Sequence, residues 1–246
     1  MTFNYDTLLE QALDAVSKPY RLFPHRFSEI YDYAATVDAS REEVVILKMH
    51  GSVDWFDKTA YNELSKPVDG YTPRIAANHP VFGTNAGIIV EPIVDGPRFS
   101  EDYLTKLYRV KDPTPLYDSV YWWQCAPFLL SPSHSKLLYA KPLSEFWQGL
   151  GRSGGLNLGF GIIGYSLPVY DDYACQAIYK IAQNYQEYEP DFELGGRVKR
   201  PVRIMDLRST ESAKKDLQKT YQFMERKRTE YWYSGLCQDG IEWFMA

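Results

Sequence analysis

Short apolar runs that stop on a polar or glycine residue constrain this chain more than any other feature. V-V-I-L, residues 44–47, is β-branched and continuously apolar, and K-M-H-G follows at once. L-N-L-G-F-G-I-I-G runs up to Gly164 and into Y-S-L-P, while P-V-R-I-M-D-L carries Asp206 at its end. Runs of this kind fit strands buried on both faces of a parallel sheet. Helical spacing alternates with them. Leu8, Leu9, Ala12, Leu13 and Val16 recur on one stripe, and Ala174, Ala177, Ile178 and Ile181 form a second stripe after Asp171. This alternation predicts an α/β fold with an open, mostly parallel, Rossmann-like sheet and flanking helices. A length of 246 residues fits one large domain or two small ones.

Local signals mark where these elements begin and end. Asp6 stands where its carboxylate caps the helix after it, and Pro19 closes that helix. Asp171 or Asp172 caps the second amphipathic helix, and Ser209 caps the helix after Asp206. Residues 53–135 break the pattern with prolines, glycines and scattered aromatics, and read as a long irregular insert with short elements only. Within it, N-A-G-I-I-V-E-P reads as a short strand and Asp118 to Cys125 as a short helix. Pro142 to Leu150 reads as another helix, and the C-terminal Y-W-Y-S-G-L-C-Q-D-G-I-E-W-F as an extended piece with a short helix.

Composition narrows the function classes. A net charge of -5 argues against a basic nucleic-acid face. No apolar run approaches the roughly 20 residues of a membrane span. A basic n-region with an apolar h-region is absent from the first residues, so the expectation is a cytoplasmic protein. Cys125, Cys175 and Cys237 make no C-x-x-C pair and signal neither a zinc site nor a disulfide framework. No metal-ligand spacing links the four histidines either, so no metal is expected. Aromatic residues reach 15%, with 20 tyrosines, which in a mildly acidic chain suggests a ring-lined pocket or interface.

Several motifs bear on chemistry, and each has a plainer reading beside it. G-L-G-R-S-G (149–154) and G-F-G-I-I-G (159–164) both match G-x-G-x-x-G. A dinucleotide pyrophosphate needs free amides at a helix N-terminus directly after a strand, and neither match lies there. G-Y-S-L-P-V-Y-D places Gly164 and Ser166 at a strand's carboxyl end, facing the next helix. That is where ligands bind in open α/β sheets, although an ordinary strand–helix turn would look the same. Asp206 stands where carboxylates often accept ribose hydroxyls, or serves as a solvated acid or cap. His50, at the end of K-M-H next to Gly51, suits a general base, or a structural histidine bonded to a loop carbonyl. His25, His79 and His134 lack such a setting.

Taken in order, T-F-N-Y-D-T-L-L-E, K-M-H-G-S-V-D-W, G-I-I-G-Y-S-L-P-V-Y-D and the strand ending in Asp206 resemble the sirtuin-like domain family. The likeness is to its bacterial branch that cleaves NAD in antiphage defence. It runs from residue 2 to about residue 208, and P-F-L-L-S-P-S-H-S-K (127–136) looks like the segment before the family's final strands. The resemblance implies one sirtuin-like domain over 1–246 with the insert at 53–135. It further implies that Asn4 holds the nicotinamide ribose and the attacking group, and that Asp6 meets the nicotinamide carboxamide. His50 is then the general base, Gly164 and Ser166 contact ribose and phosphate, and Asp206 lies near the adenosine. NAD is the implied substrate, without a metal.

Two departures from the family refine this. Lysine deacylases carry a four-cysteine zinc module in the insert, and this chain has nothing like it; Phe3 also replaces their polar residue before the asparagine. Hydrolysis of NAD or a related nucleotide is therefore favoured over protein deacylation. Family members also place a strand and a glycine-rich phosphate loop ahead of the T-x-N-Y-D segment, so the chain is expected to be N-terminally truncated relative to them. A catalytically inactive NAD- or ADP-ribose-binding or protein-interaction module is the alternative, and a nucleotide-sugar or nucleoside hydrolase sharing only the sheet is a third. Expected partners are NAD or ADP-ribose, with a homo-oligomer or an upstream or partner polypeptide besides; no membrane is expected, and nucleic acid is disfavoured.

Overall fold

Asp6 shows how locally the first helix is set. Its Oδ1 accepts the Leu8 N–H at 3.0 Å, so a side chain satisfies a donor that the first helical turn leaves open. Helix α1 (Leu8–Ala15) follows. It ends with Ser17 at φ 54°, while Lys18 N–H donates to the Leu13 carbonyl at 2.9 Å and Ser17 N–H to that of Asp14 at 3.0 Å. That is a left-handed helix stop made without glycine. The computed structural model describes residues 1–22, 44–67, 77–94, 96–97, 101–118, 126–131, 143, 150, 154–155, 157–187, 193–194 and 197–246. The chain divides into two compact units, Met1–Ser131 with Ser135–Phe146, and Pro132–His134 with Trp147–Ala246.

In the first unit, β1 (Tyr20–Leu22) and β2 (Val44–Ile46) pair in parallel, Tyr20 opposite Val44. The β2 strand is the run read from sequence, and β1 is an addition to it. The expected irregular stretch carries a three-stranded antiparallel sheet of its own, with β5 (Leu107–Val110) between β3 (Trp55–Asp57) and β4 (Val90–Pro92). Phe56, Val81, Val110 and Leu116 form its buried core, with Phe82, Ile88 and Val90 packed against them. Helices α2 (Thr59–Leu64) and α3 (Thr114–Tyr117) are short. Of N-A-G-I-I-V-E-P only the last three residues are strand. W-F-D and L-Y-R-V are too short and too polar to stand out as periodic, which is why they read as loop. Residues 119–125 of the expected Asp118–Cys125 helix lie outside the described residues. So does Pro142–Leu150, apart from Leu143 and Leu150.

In the second unit, β9 (Val202–Met205) lies between β10 (Thr229–Trp232) and β6 (Gly161–Ile163), all parallel. The charged loop around Arg197 contains a short antiparallel pair, β7 (Glu193–Leu194) with β8 (Arg197–Val198). Helix α4 (Asp172–Glu187) buries Ala174, Ala177, Ile178 and Ile181, the stripe read from sequence, and adds Ala182 and Tyr185. Asp171 caps it, with Oδ1 accepting the Ala174 N–H at 3.4 Å. The cap of α5 (Glu211–Thr220) is Thr210 rather than Ser209, since Thr210 Oγ1 accepts the Ala213 N–H at 3.2 Å. Helix α6 (Gln238–Met245) closes the chain. The fold is thus mixed α/β, with two parallel and two antiparallel sheets among the described residues. No helix of the described residues is long and apolar enough to cross a membrane.

Candidate functional site

Two sequence segments lie side by side in the first unit. Thr2 bridges Lys48 in parallel, its N–H donating to the Leu47 carbonyl at 2.8 Å and its carbonyl accepting from Met49 N–H at 3.0 Å. Farther along, the Tyr5 carbonyl accepts from Val53 N–H at 3.0 Å and from Ser52 Oγ at 3.2 Å. T-F-N-Y-D is thereby held along K-M-H-G-S-V. His50 is buried, with its ring 5.1 Å from that of Phe3 and 5.8 Å from that of Tyr5.

The P-F-L-L stretch closes a third side. Leu130 N–H donates to the His50 carbonyl at 2.8 Å, and Tyr5 OH donates to the Leu130 carbonyl at 2.6 Å. Gly51 bridges Leu129, at φ 80°. A Cβ on Gly51 would stand 2.0 Å from the Phe128 carbonyl oxygen, so no other residue fits this approach. Asn4 and Asp6 are exposed on the same segment as Phe3 and Tyr5. Asn4 N–H donates to Thr2 Oγ1 at 3.1 Å. Asn4, Asp6 and His50 therefore sit on two adjacent, hydrogen-bonded segments of one unit.

Gly164, Ser166 and Asp206 belong to the second unit. Gly164 follows β6 at φ 63°, with its N–H on the Met205 carbonyl at 2.9 Å and open space where a Cβ would be. Ser166 is exposed on the same turn, and Leu167 after it adopts φ 48°. Asp206 follows β9, and its carboxylate is already engaged. Oδ2 accepts from Arg208 Nη2 at 2.7 Å and Nε at 3.1 Å, and Oδ1 accepts the Leu207 N–H at 2.7 Å. G-F-G-I-I-G spans β6, and a Cβ on Gly161 would lie 2.0 Å from the Phe244 ring. That glycine makes room for a ring. In G-L-G-R-S-G, residues 149 and 151–153 lie outside the described residues.

Charged groups behind T-F-N-Y-D escape a sequence reading. Lys48 is wholly buried, with Nζ 2.8 Å from Oε1 of buried Glu10, and it also donates to the Asp6 carbonyl. Asp54, buried too, accepts from Ser52 Oγ and from Arg109 Nε, the latter at 2.8 Å, and Arg109 Nη1 reaches Tyr20 OH at 2.8 Å. Burial opposes the Arg109 charge, but its bonds to Tyr20 and Asp54 outweigh that and hold its pKa above the ordinary value. His79 is structural. Its Nδ1 accepts the Val81 and Phe82 N–H groups at 3.2 Å each, and burial lowers its pKa, which keeps the ring neutral. His25 and His134 lie outside the described residues.

A cavity of about 510 Å³ in the first unit is bordered by Tyr20, Arg21, Glu91 and Arg109 among others. Another of about 650 Å³ in the second unit is bordered by Leu167, Cys175, Tyr179 and Phe223 among others. Neither is lined by any of the six candidate residues. The backbone pairing of T-F-N-Y-D with K-M-H-G, rather than a cavity, singles out the first site. Residues 1–71 match the SIR2-like domain. That stretch contains Asn4, Asp6 and His50, while Gly164, Ser166 and Asp206 lie beyond it. No curated protein and no solved structure matches the chain. The matched stretch contains both paired segments.

Proposed function

We propose that this chain is a sirtuin-like NAD glycohydrolase, of the kind used in bacterial antiphage defence. The observation that carries the proposal is the T-F-N-Y-D segment bonded along K-M-H-G within the SIR2-like stretch. In the reaction, a water oxygen bonds to C1′ of the nicotinamide ribose as the C1′–N bond breaks. The bonding pair leaves with nicotinamide, which departs neutral, and ADP-ribose and one proton remain. His50 takes that proton from the water, a contribution worth roughly 10² to 10⁴ in rate. Asn4 holds the ribose and the water, and Asp6 meets the carboxamide. The burial of His50 against Phe3 and Tyr5 supports exclusion of stray water from the developing oxocarbenium ion.

In the second unit, Gly164 and Ser166 take the ribose and phosphate roles, and Asp206, with Arg208, the contact near the adenosine. Parallel β10–β9–β6, with Gly164 and Asp206 at carboxyl ends, supports a Rossmann-like nucleotide sheet there. A non-catalytic NAD- or ADP-ribose-binding module is the second reading. It is favoured by the near-complete burial of His50, 3% exposed. Calorimetry with NAD and ADP-ribose, run beside a nicotinamide assay, separates the two. Release of nicotinamide supports hydrolysis, binding without release supports the module, and neither binding nor release contradicts both.

A further inference from the structure

We propose that the buried Lys48–Glu10 pair positions the N-Y-D segment against His50. Its activity readout rests on the NAD reading above. Lys48 stands two residues before His50 and meets the neighbouring segment twice. Its backbone is bridged to Thr2, and its ammonium donates to the carbonyl of Asp6. T-F-N-Y-D is thus held at Thr2 by the backbone on either side of Lys48, through Leu47 and Met49, and at Asp6 by the Lys48 side chain, with Asn4 between the two attachments. Glu10, one turn into α1, accepts from Lys48 Nζ at 2.8 Å and so aims the ammonium. Neither side chain is more than 1% exposed. Both are shielded from solvent, so the role proposed for them is positioning.

Stability alone does not account for this pair. Desolvating two charges offsets most of their attraction, and well-packed apolar residues of similar volume often serve folding as well or better. Here the balance is poorer than usual, because Glu10 Oε2 is buried with no hydrogen-bond partner among the described residues. What an apolar pair cannot do is donate a hydrogen bond to the Asp6 carbonyl. That bond fixes where the chain turns from the strand-like segment into α1, and hence where Asn4 and Asp6 stand relative to His50.

The double variant Lys48→Met/Glu10→Leu separates positioning from stability, because it removes both charges and leaves no buried ion unpaired. The expected result has three parts. Its thermal midpoint stays near that of the parent chain. Nicotinamide release from NAD falls on the order of 100-fold, mainly in kcat, as a misplacement near 1 Å would cause. Amide exchange at Val53, whose N–H is held by the Tyr5 carbonyl, speeds up at least about tenfold, while Val110 in the insert sheet keeps its protection. Parent-level turnover, or unchanged protection at Val53, would overturn the proposal. Loss of folding in the double variant would overturn it too, by making the pair a stability element. Should the parent release no nicotinamide, the NAD reading fails, and Val53 exchange in the double variant alone decides the positioning role.

Discussion

Helices α1 and α4 have the same kind of sequence and opposite burial. Both carry an apolar stripe at helical spacing. Helix α4 turns its stripe inward and buries six residues of it, with Gly154 pressed so close that a Cβ would meet the Ile181 carbonyl oxygen at 2.7 Å. Helix α1 leaves Leu8 at 67% and Leu9 at 44% exposed, with Val16 just beyond its end at 70%, and the residue it buries is Glu10. The difference lies in what each helix meets. Apolar side chains and the backbone of Gly154 receive α4. The start of K-M-H-G, at Lys48, presents a buried ammonium to α1, and a buried ammonium needs a carboxylate more than any leucine needs cover. Periodicity identifies a helix; the partner decides which face goes in.

The second unit buries Asp171 and Lys199, and it also withdraws several tyrosines from water, which gives the largest expected effect. Burial raises the pKa of Tyr165, with Asp171 adding to it, and raises that of Tyr221, with Asp206 adding to it. Tyr231 is pushed up to about 12, by burial first and by Tyr233 second. A pKa raised in the folded state favours the protonated form. The stabilisation is therefore full below the unfolded value near 10 and is lost as the pH rises through the folded values. Urea midpoints followed through second-unit signals should fall steadily above pH 10, with tyrosinate absorbance appearing together with unfolding. Tyrosinate absorbance that rises fully before any unfolding would contradict this burial.

Single substitutions probe the two anchors directly. Lys48→Met leaves the Glu10 carboxylate buried without its partner and should cost about 3–5 kcal/mol in urea unfolding. Ile178→Ala on α4 should cost about 2–5 kcal/mol by opening a cavity under the helix. A mild Lys48 variant with a severe Ile178 variant would mean that α1, like α4, is held by apolar contact. At the small end, Leu8→Ser and Leu9→Ser should each change stability by no more than about 0.5 kcal/mol, because both side chains already face water. A large loss there would show the stripe to be covered after all.

The same contrast explains what was legible in the sequence. The α4 face could be read, and its cap narrowed to Asp171 or Asp172, because a buried apolar stripe and a capping carboxylate are local signals. T-F-N-Y-D and K-M-H-G could be read as motifs, and their pairing agrees with the family resemblance. The Lys48–Glu10 bond could not be read, since it joins residues 38 apart and alternation carries no mark of a buried charge. Gly51 was legible as a flexible neighbour of His50, but its reason, the approach of the Phe128 carbonyl, depends on P-F-L-L folding back. Two of the three described strands of the insert were missed because W-F-D and L-Y-R-V gain their burial from pairing with each other across some fifty residues, whereas V-E-P was read as part of N-A-G-I-I-V-E-P.

Nicotinamide release from NAD by the parent chain, compared with His50→Ala and Asn4→Ala, tests the proposed function most directly. Each variant should keep the parent's circular dichroism, since Asn4 is exposed and the bonds that join Thr2 and Tyr5 to Leu47, Met49 and Val53 run between backbone groups. The expected result is release by the parent and none detectable from either variant. Equal release by a variant and the parent would contradict the assignment of that residue, and an inactive parent would contradict NAD hydrolysis itself.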